Sequence, residues 1–183
     1  MPPAVIYWLI IHPFAGFWRR MGPWVTFGIN IPLLLGQVVV LWRIRDALIG
    51  TDMGFQSWML IPSIGLYMAS IGVEIRCRKY LKFKVLVGMP EVAPDLIESK
   101  LLDQGIYGRI RHPRYLGIIL GVTGWALFSN YTGAVLVALG TIPALYLVTL
   151  FEERELLERF GEDYREYRER VPRLVPRLGQ RPG

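Results

Sequence analysis

With one cysteine, Cys77, the chain can form no internal disulfide and no cysteine-based structural zinc site. Charge is missing from long stretches. Residues 24–42, 53–73 and 115–151 are uncharged runs of nineteen, twenty-one and thirty-seven residues. Residues 2–18 are also uncharged. No basic residue precedes that run, and Arg19 and Arg20 follow it, which argues against a cleaved signal peptide.

What is present is apolar: 52% of residues are hydrophobic and 20% charged, outside the range of an ordinary soluble domain. The first two long runs match the roughly 20 apolar residues that a spanning helix needs. The third would be about 55 Å long as one helix, against a hydrocarbon core of about 30 Å, so it must fold back as a hairpin. Asn130, Tyr131, Thr132 and Gly133 carry the turn chemistry for it. Residues 2–18, interrupted by His12 and Pro13, are taken as a further span. If both ends of the hairpin face the cytoplasm, 19 of the 21 basic residues fall on that side, and only Arg43 and Arg45 lie opposite. The net charge of +6 is then a membrane-surface feature matched by anionic headgroups, and a nucleic-acid partner has little support.

The expected architecture is all-α and polytopic: a single integral membrane domain over residues 1–183 with a cytoplasmic pocket and an amphipathic carboxy-terminal helix. A cytoplasmic segment, residues 74–114, begins with Arg76, Arg78, Lys79, Lys82 and Lys84 and contains Pro90 and Pro94 before a partly apolar stretch at 95–102. In residues 152–170, Leu157, Phe160, Tyr164 and Tyr167 recur at helical spacing and form one face, to lie along the membrane or pack on the cytoplasmic segment. Residues 173–183 read as a flexible tail. Gly121, Gly124, Gly133 and Gly140 permit tight helix packing. No internal repeat is seen.

Two clusters can carry chemistry. The first is Gly105, Ile106, Tyr107, Arg109, Arg111, His112, Pro113, Arg114, Tyr115 and Gly117, where the cytoplasmic segment enters the hairpin. Pro113 disfavours a helical His112 and suits a first helical position, so His112 is the expected entry residue of a helix whose free N–H groups, with Arg111, would hold an anion. The bland alternative is that the arginines only anchor a span at the interface. The second cluster is Glu152 and Glu153, just past the hairpin; adjacent carboxylates at a bilayer boundary are costly unless turned toward protein, cation or water. Glu155, Glu158 and Glu162 read instead as solvated. A hairpin returns the chain to the side it left, so both clusters can share one site.

Residues 105–117, followed by Phe151, Glu152, Glu153, Leu156, Phe160, Gly161, Tyr164, Tyr167, Val171 and Pro172, resemble the isoprenylcysteine carboxyl methyltransferase and phospholipid methyltransferase superfamily. The resemblance covers residues 101–172, the motif region, and departs at Ile106, where the family commonly has proline. It implies about five spans, S-adenosylmethionine as cofactor in a pocket made by the hairpin ends and the carboxy-terminal helix, and a lipid or lipidated acceptor. By carry-over His112 and Tyr115 contact the cofactor, Arg111 supports its carboxylate, and Glu152 and Glu153 form the essential acidic pair. Gly117 offers close backbone approach.

The chemistry implied is in-line displacement from a sulfonium, which asks for alignment and exclusion of water rather than a strong acid or base. A carboxylate acceptor would be positioned by Arg154 or Arg173; an amine or thiol would lose a proton to Glu152 or Glu153. Tyr107, Tyr115 and Tyr164 are candidates to face the sulfonium. No metal ligands are assigned. The alternatives are a phospholipid amine methyltransferase and, outside enzymes, a membrane scaffold or transporter subunit. No phosphate- or ribose-binding motif favours the nicotinamide-dependent reductases of the wider fold.

Overall fold

The structure, a computed structural model, describes residues 2–80 and 101–176. Lys82, Lys84, Pro90, Pro94, most of the stretch at 95–102 and the end of the expected tail lie outside the described residues. The elements are α1 (Pro2–Ile11), α2 (Ala15–Arg43), α3 (Arg45–Ile49), a 3-10 turn (Ser57–Met59), α4 (Leu60–Arg78), α5 (Pro113–Ser129), α6 (Thr132–Phe160) and α7 (Glu162–Arg170). Among the described residues, three helical segments are long and apolar enough to cross a membrane: Ala15–Arg43, Ser57–Arg78 and Thr132–Phe160. The α5 helix, 17 residues and about 25 Å long, sits at the lower limit for a span.

Residues 2–18 do not form one continuous helix. The chain leaves the helix at His12–Phe14, where Pro13 removes a backbone donor, and the 10 residues of α1 reach only about 15 Å. In α2 the axis kinks at Gly22, whose φ of 79° is open to glycine at low cost, and Pro23 restarts the helix. Carbonyls freed by the kink are taken by Thr26 Oγ, which donates to Gly22 O at 2.8 Å. Buried Asn30 donates in turn to Thr26 O.

The hairpin turns where the sequence places it. Asn130 caps α5 in the left-handed region (φ 54°), a conformation asparagine tolerates, and α6 starts at Thr132. The loop after α3 braces this turn: Met53 N–H donates to Asn130 O at 3.0 Å, Thr132 N–H to Thr51 O at 3.1 Å, and the Asn130 side-chain amide to Gly54 O.

Helices α4 and α5 pack closely along small residues. Ser70 Oγ donates to Gly117 O at 2.7 Å and Ser63 Oγ to Gly124 O at 2.9 Å. A Cβ on Gly121 would stand 2.8 Å from Ser70 Oγ, and one on Gly124 would stand 3.0 Å from Ser63 O. Gly133 is likewise closed in by the Leu48 carbonyl, whereas Gly140 has open space around it and serves no such contact. The other face of α5 packs on α6 through Val122, Ala126 and Ala138, and α1 lies on α6 with Val5 and Trp8 against Tyr115, Leu145 and Val148. Large apolar side chains such as Trp24, Ile61 and Leu136 stay exposed on the outside, as a surface facing lipid requires.

The expected helix over 152–170 is two elements. Residues 152–160 continue α6, and Gly161, at φ 56°, breaks the axis before α7. The predicted apolar face survives the break: Tyr164, Tyr167 and Val171 are buried together with Leu101, Leu157 and Phe160.

Candidate active site

The geometry begins with the step into α5. His112 has φ −120° and ψ 60°, outside the helical region, and Pro113 occupies the first helical position, as the His-Pro pair dictates. Helix α6 runs back antiparallel beside α5 and continues past its apolar stretch, so its turn at 152–155 arrives against His112. The chain then reverses at Gly161, and after α7 it crosses the same place: Arg111 N–H donates to Pro172 O at 2.9 Å and His112 N–H to Arg173 O at 3.0 Å. Arg173 is therefore tied into the site, and the expected tail is fastened where it starts.

Buried His112 lies between two carboxylates, its Nδ1 3.3 Å from Glu152 Oε2 and its Nε2 3.2 Å from Glu153 Oε1. Glu153, also buried, is held in addition by Arg111 Nη2 at 3.1 Å and by a two-pronged contact from Arg173, Nε at 2.8 Å and Nη2 at 2.7 Å. Arg173 Nη1 donates to Tyr146 Oη at 2.8 Å. Tyr115 stacks on the His112 ring at 5.7 Å, and its hydroxyl hydrogen-bonds Glu152. Burial disfavours a charged His112, but Glu152 and Glu153 outweigh it, and the ring's pKa is raised above 6.5.

Four of the cofactor candidates, Arg111, His112, Tyr115 and Glu153, thus converge with Glu152 and Arg173. The remaining candidates do not. Arg154 is exposed, one step round α6 from Glu153. Tyr107 is buried, its hydroxyl bonded to Cys77 and its carbonyl accepting from Tyr167 Oη at 2.7 Å. Gly117 opens toward α4, where a Cβ would meet Val73 Cγ1 at 3.2 Å. The open anion cradle expected at the start of α5 is also redirected: its cations face carboxylates of the same chain, and the His112 N–H is taken by Arg173 O.

Sequence reasoning missed a second pair. Glu155, expected to be solvated, receives His12 Nδ1 at 3.1 Å, and His12 is buried and stacked on Trp8 at 4.9 Å. Both of the chain's histidines thus meet one turn of α6. The available signal was a histidine lodged in an uncharged run. Beside the cluster, the buried Arg111 Nε and Tyr164 hydroxyl have no hydrogen-bond partner among the described residues. Burial of Tyr164, with Glu153 beside it, raises its pKa and keeps it a donor. Two buried donors in want of partners suit a carboxylate, and the neighbouring glutamates suit an ammonium, so the set is complementary to a group carrying both.

An all-helical membrane protein with a buried His–carboxylate–guanidinium cluster at the end of a hairpin defines the class as polytopic membrane proteins with a polar site at the membrane boundary. Residues 92–163 match the model of the phospholipid methyltransferase family. A methanethiol S-methyltransferase of a Pseudomonas species is 31% identical over 181 residues, 93% of this chain and 67% of that protein. Methanethiol S-methyltransferase 2 of Bradyrhizobium diazoefficiens is 27% identical over 174 residues, 90% of this chain. The protein-S-isoprenylcysteine O-methyltransferase of Schizosaccharomyces pombe is 26% identical over 129 residues, 67% of this chain and 55% of that protein. The chain belongs to this superfamily of membrane methyltransferases, which joins the phospholipid and isoprenylcysteine branches. It spans 65% of the length of the Bradyrhizobium protein. No solved structure matches it.

Proposed function

We propose that the chain transfers a methyl group from S-adenosylmethionine to a lipid-like acceptor, an isoprenylcysteine-type carboxylate or a related group, at the cytoplasmic face of a membrane. The observation that carries this reading is the acidic pair Glu152 and Glu153, held among Arg111, His112 and Arg173 where the hairpin ends. When bound, S-adenosylmethionine supplies an electrophilic methyl on a sulfonium. The residues present fit its amino-acid end: Arg111 Nε and the Tyr164 hydroxyl are buried donors for a carboxylate, and the Glu152 carboxylate, oriented by His112, would face the ammonium. His112 and Arg173 hold the two glutamates in place, so the site is oriented before the reactants meet. Buried Tyr115 walls the cluster with aromatic surface and limits water on that side.

Beside the cluster a groove of about 1260 Å³ opens between α4, α5 and α6, lined by Ile71, Ile75, Gly121 and Val137, with Arg78 and Arg114 at its end nearer the site. Arg114 also lies 5.8 Å from the Trp8 ring, against which Tyr115 packs, so the groove adjoins the cluster. This supports lateral entry of an acceptor with an apolar chain, its anionic head steered by arginine. The concentration of basic residues at this end supports the cytoplasmic orientation.

A second reading, an apolar thiol as acceptor, is favoured by the relatives named for methanethiol. Purified protein with isotopically labelled S-adenosylmethionine is offered an isoprenylated cysteine, the same cysteine without its chain, methanethiol, and an amine-headed phospholipid. Label goes to the isoprenylated cysteine far ahead of the bare one, since each buried methylene contributes about 0.8 kcal/mol. Label in methanethiol alone, or in the amine lipid alone, replaces the acceptor; label in none of them with folded protein removes the methyltransferase reading.

A further inference from the structure

Methyl transfer as proposed uses the turn of α6 at 152–155 but gives no part to its third carboxylate. Glu155 lies three residues beyond Glu152, about 4.5 Å further along the same side of the helix. It is paired with His12, whose side chain is 1% exposed and which closes α1, its N–H donating to Trp8 O at 3.1 Å. Helix α1 is otherwise apolar, and Trp8, stacked on His12, packs in one cluster with Tyr115, Leu145 and Val148. A buried histidine–carboxylate contact is a costly way to fasten a helix that leucine would fasten well, since desolvating both groups offsets much of the attraction. Its gain over leucine is directional. Helix α6 is free to turn about its axis against an apolar neighbour, but not when Glu155 is fixed to α1 and Glu152 to the start of α5.

We propose that His12 is a positioning residue: through Glu155 it fixes the rotation of α6, so that Glu152 and Glu153 face His112 in the arrangement methyl transfer needs. The inference rests on the methyl-transfer reading for its consequence, but not for its geometry. His12 touches neither reactant, and Trp8 sets its ring plane. Three segments are thereby locked at one turn of α6: α1 by Glu155, the Arg111–His112 step at the start of α5 by Glu152 and Glu153, and the Arg173 segment by Glu153.

The test uses the full chain in detergent or nanodiscs with His12→Asn, His12→Ala, Glu155→Gln and the double variant His12→Ala/Glu155→Gln. The chain has two histidines, so 15N labelling of histidine gives ring signals that one substitution assigns. In His12→Ala and in Glu155→Gln the balance between the Nδ1 and Nε2 signals of His112 changes, because Glu152 no longer holds its place. Unchanged His112 signals overturn the proposal, whether or not any acceptor is methylated. With the isoprenylated cysteine as acceptor, His12→Ala lowers kcat by about tenfold or more, as misplacement on the ångström scale does, and leaves the KM for S-adenosylmethionine within about twofold. Asparagine, which can still donate to Glu155, recovers most of the rate, and the double variant is no worse than either single one. Additive losses, no loss, or a loss confined to KM also overturn it. Absence of transfer by the unsubstituted chain removes the functional reading and leaves the His112 signals to decide the coupling.

Discussion

The two seams of α5 are built from different materials. Toward α4 the helix presents Gly117, Gly121 and Gly124, and the contact is made by closeness: backbone against backbone, with Ser63 and Ser70 bridging. Toward α6 and α1, at its His112 end, the contact is ionic, with Arg111, His112 and Arg173 around Glu152 and Glu153, and His12 on Glu155. In lipid an apolar interface gains little from burial, so tight approach of small residues is the economical way to join two spans. Charges at the membrane boundary cost more and fix direction better. The difference separates holding the fold from holding a site.

Substitutions that remove a carboxylate from the cluster should have the largest effect. Glu153→Gln leaves Arg111 and Arg173 without their carboxylate and is expected to cut methyl transfer by about a hundredfold or more. Glu158→Ala, at an exposed position of the same helix, changes stability by less than about 0.5 kcal/mol and transfer hardly at all. Parallel transfer and thermal-denaturation assays decide this, and equal losses in both variants would erase the contrast between buried and exposed carboxylates. On the other seam, Gly124→Leu forces α4 away and lowers stability by about 1–3 kcal/mol, while transfer per folded molecule stays near the original. A rate loss larger than the loss of folded protein would show that the seam also serves the site.

The smallest expected effect is that of pH on stability. The His112 ring gains its carboxylate partners on folding, so its pKa is raised from 6.5. The stability this contributes is complete below about pH 6.5 and is lost as pH rises through the folded value, at up to about 1.4 kcal/mol per pH unit. Denaturation midpoints measured from pH 6 upward should fall, and His112→Gln should flatten that fall. A curve unchanged by the substitution would mean the ring is not charged in the folded protein.

Much of this was legible in the residues. Uncharged runs mark α2, α4 and the hairpin, Asn130 marks the turn, and the His-Pro step marks the start of α5, because each rests on a local cause. The joining of His112 to Glu152 and Glu153 followed from hairpin closure. What was not legible depends on long-range contact. Nothing local announces that Glu155 meets His12, and the stripe at 157, 160, 164 and 167 runs with helical period straight across the break at Gly161. Gly117 reads equally well as room for a ligand or for a helix, and only the position of α4 decides. The length of residues 2–18 suits one helix, yet Pro13 breaks it.

The central claim is that the His112–Glu152–Glu153 cluster holds S-adenosylmethionine, and direct calorimetry on the detergent-solubilised chain tests it. The account predicts saturable binding of S-adenosylmethionine and of its demethylated product, lost in His112→Ala and in Glu153→Gln and retained in Glu158→Ala. Folded protein that binds neither compound, or a His112→Ala variant that binds as tightly as the original, would contradict it.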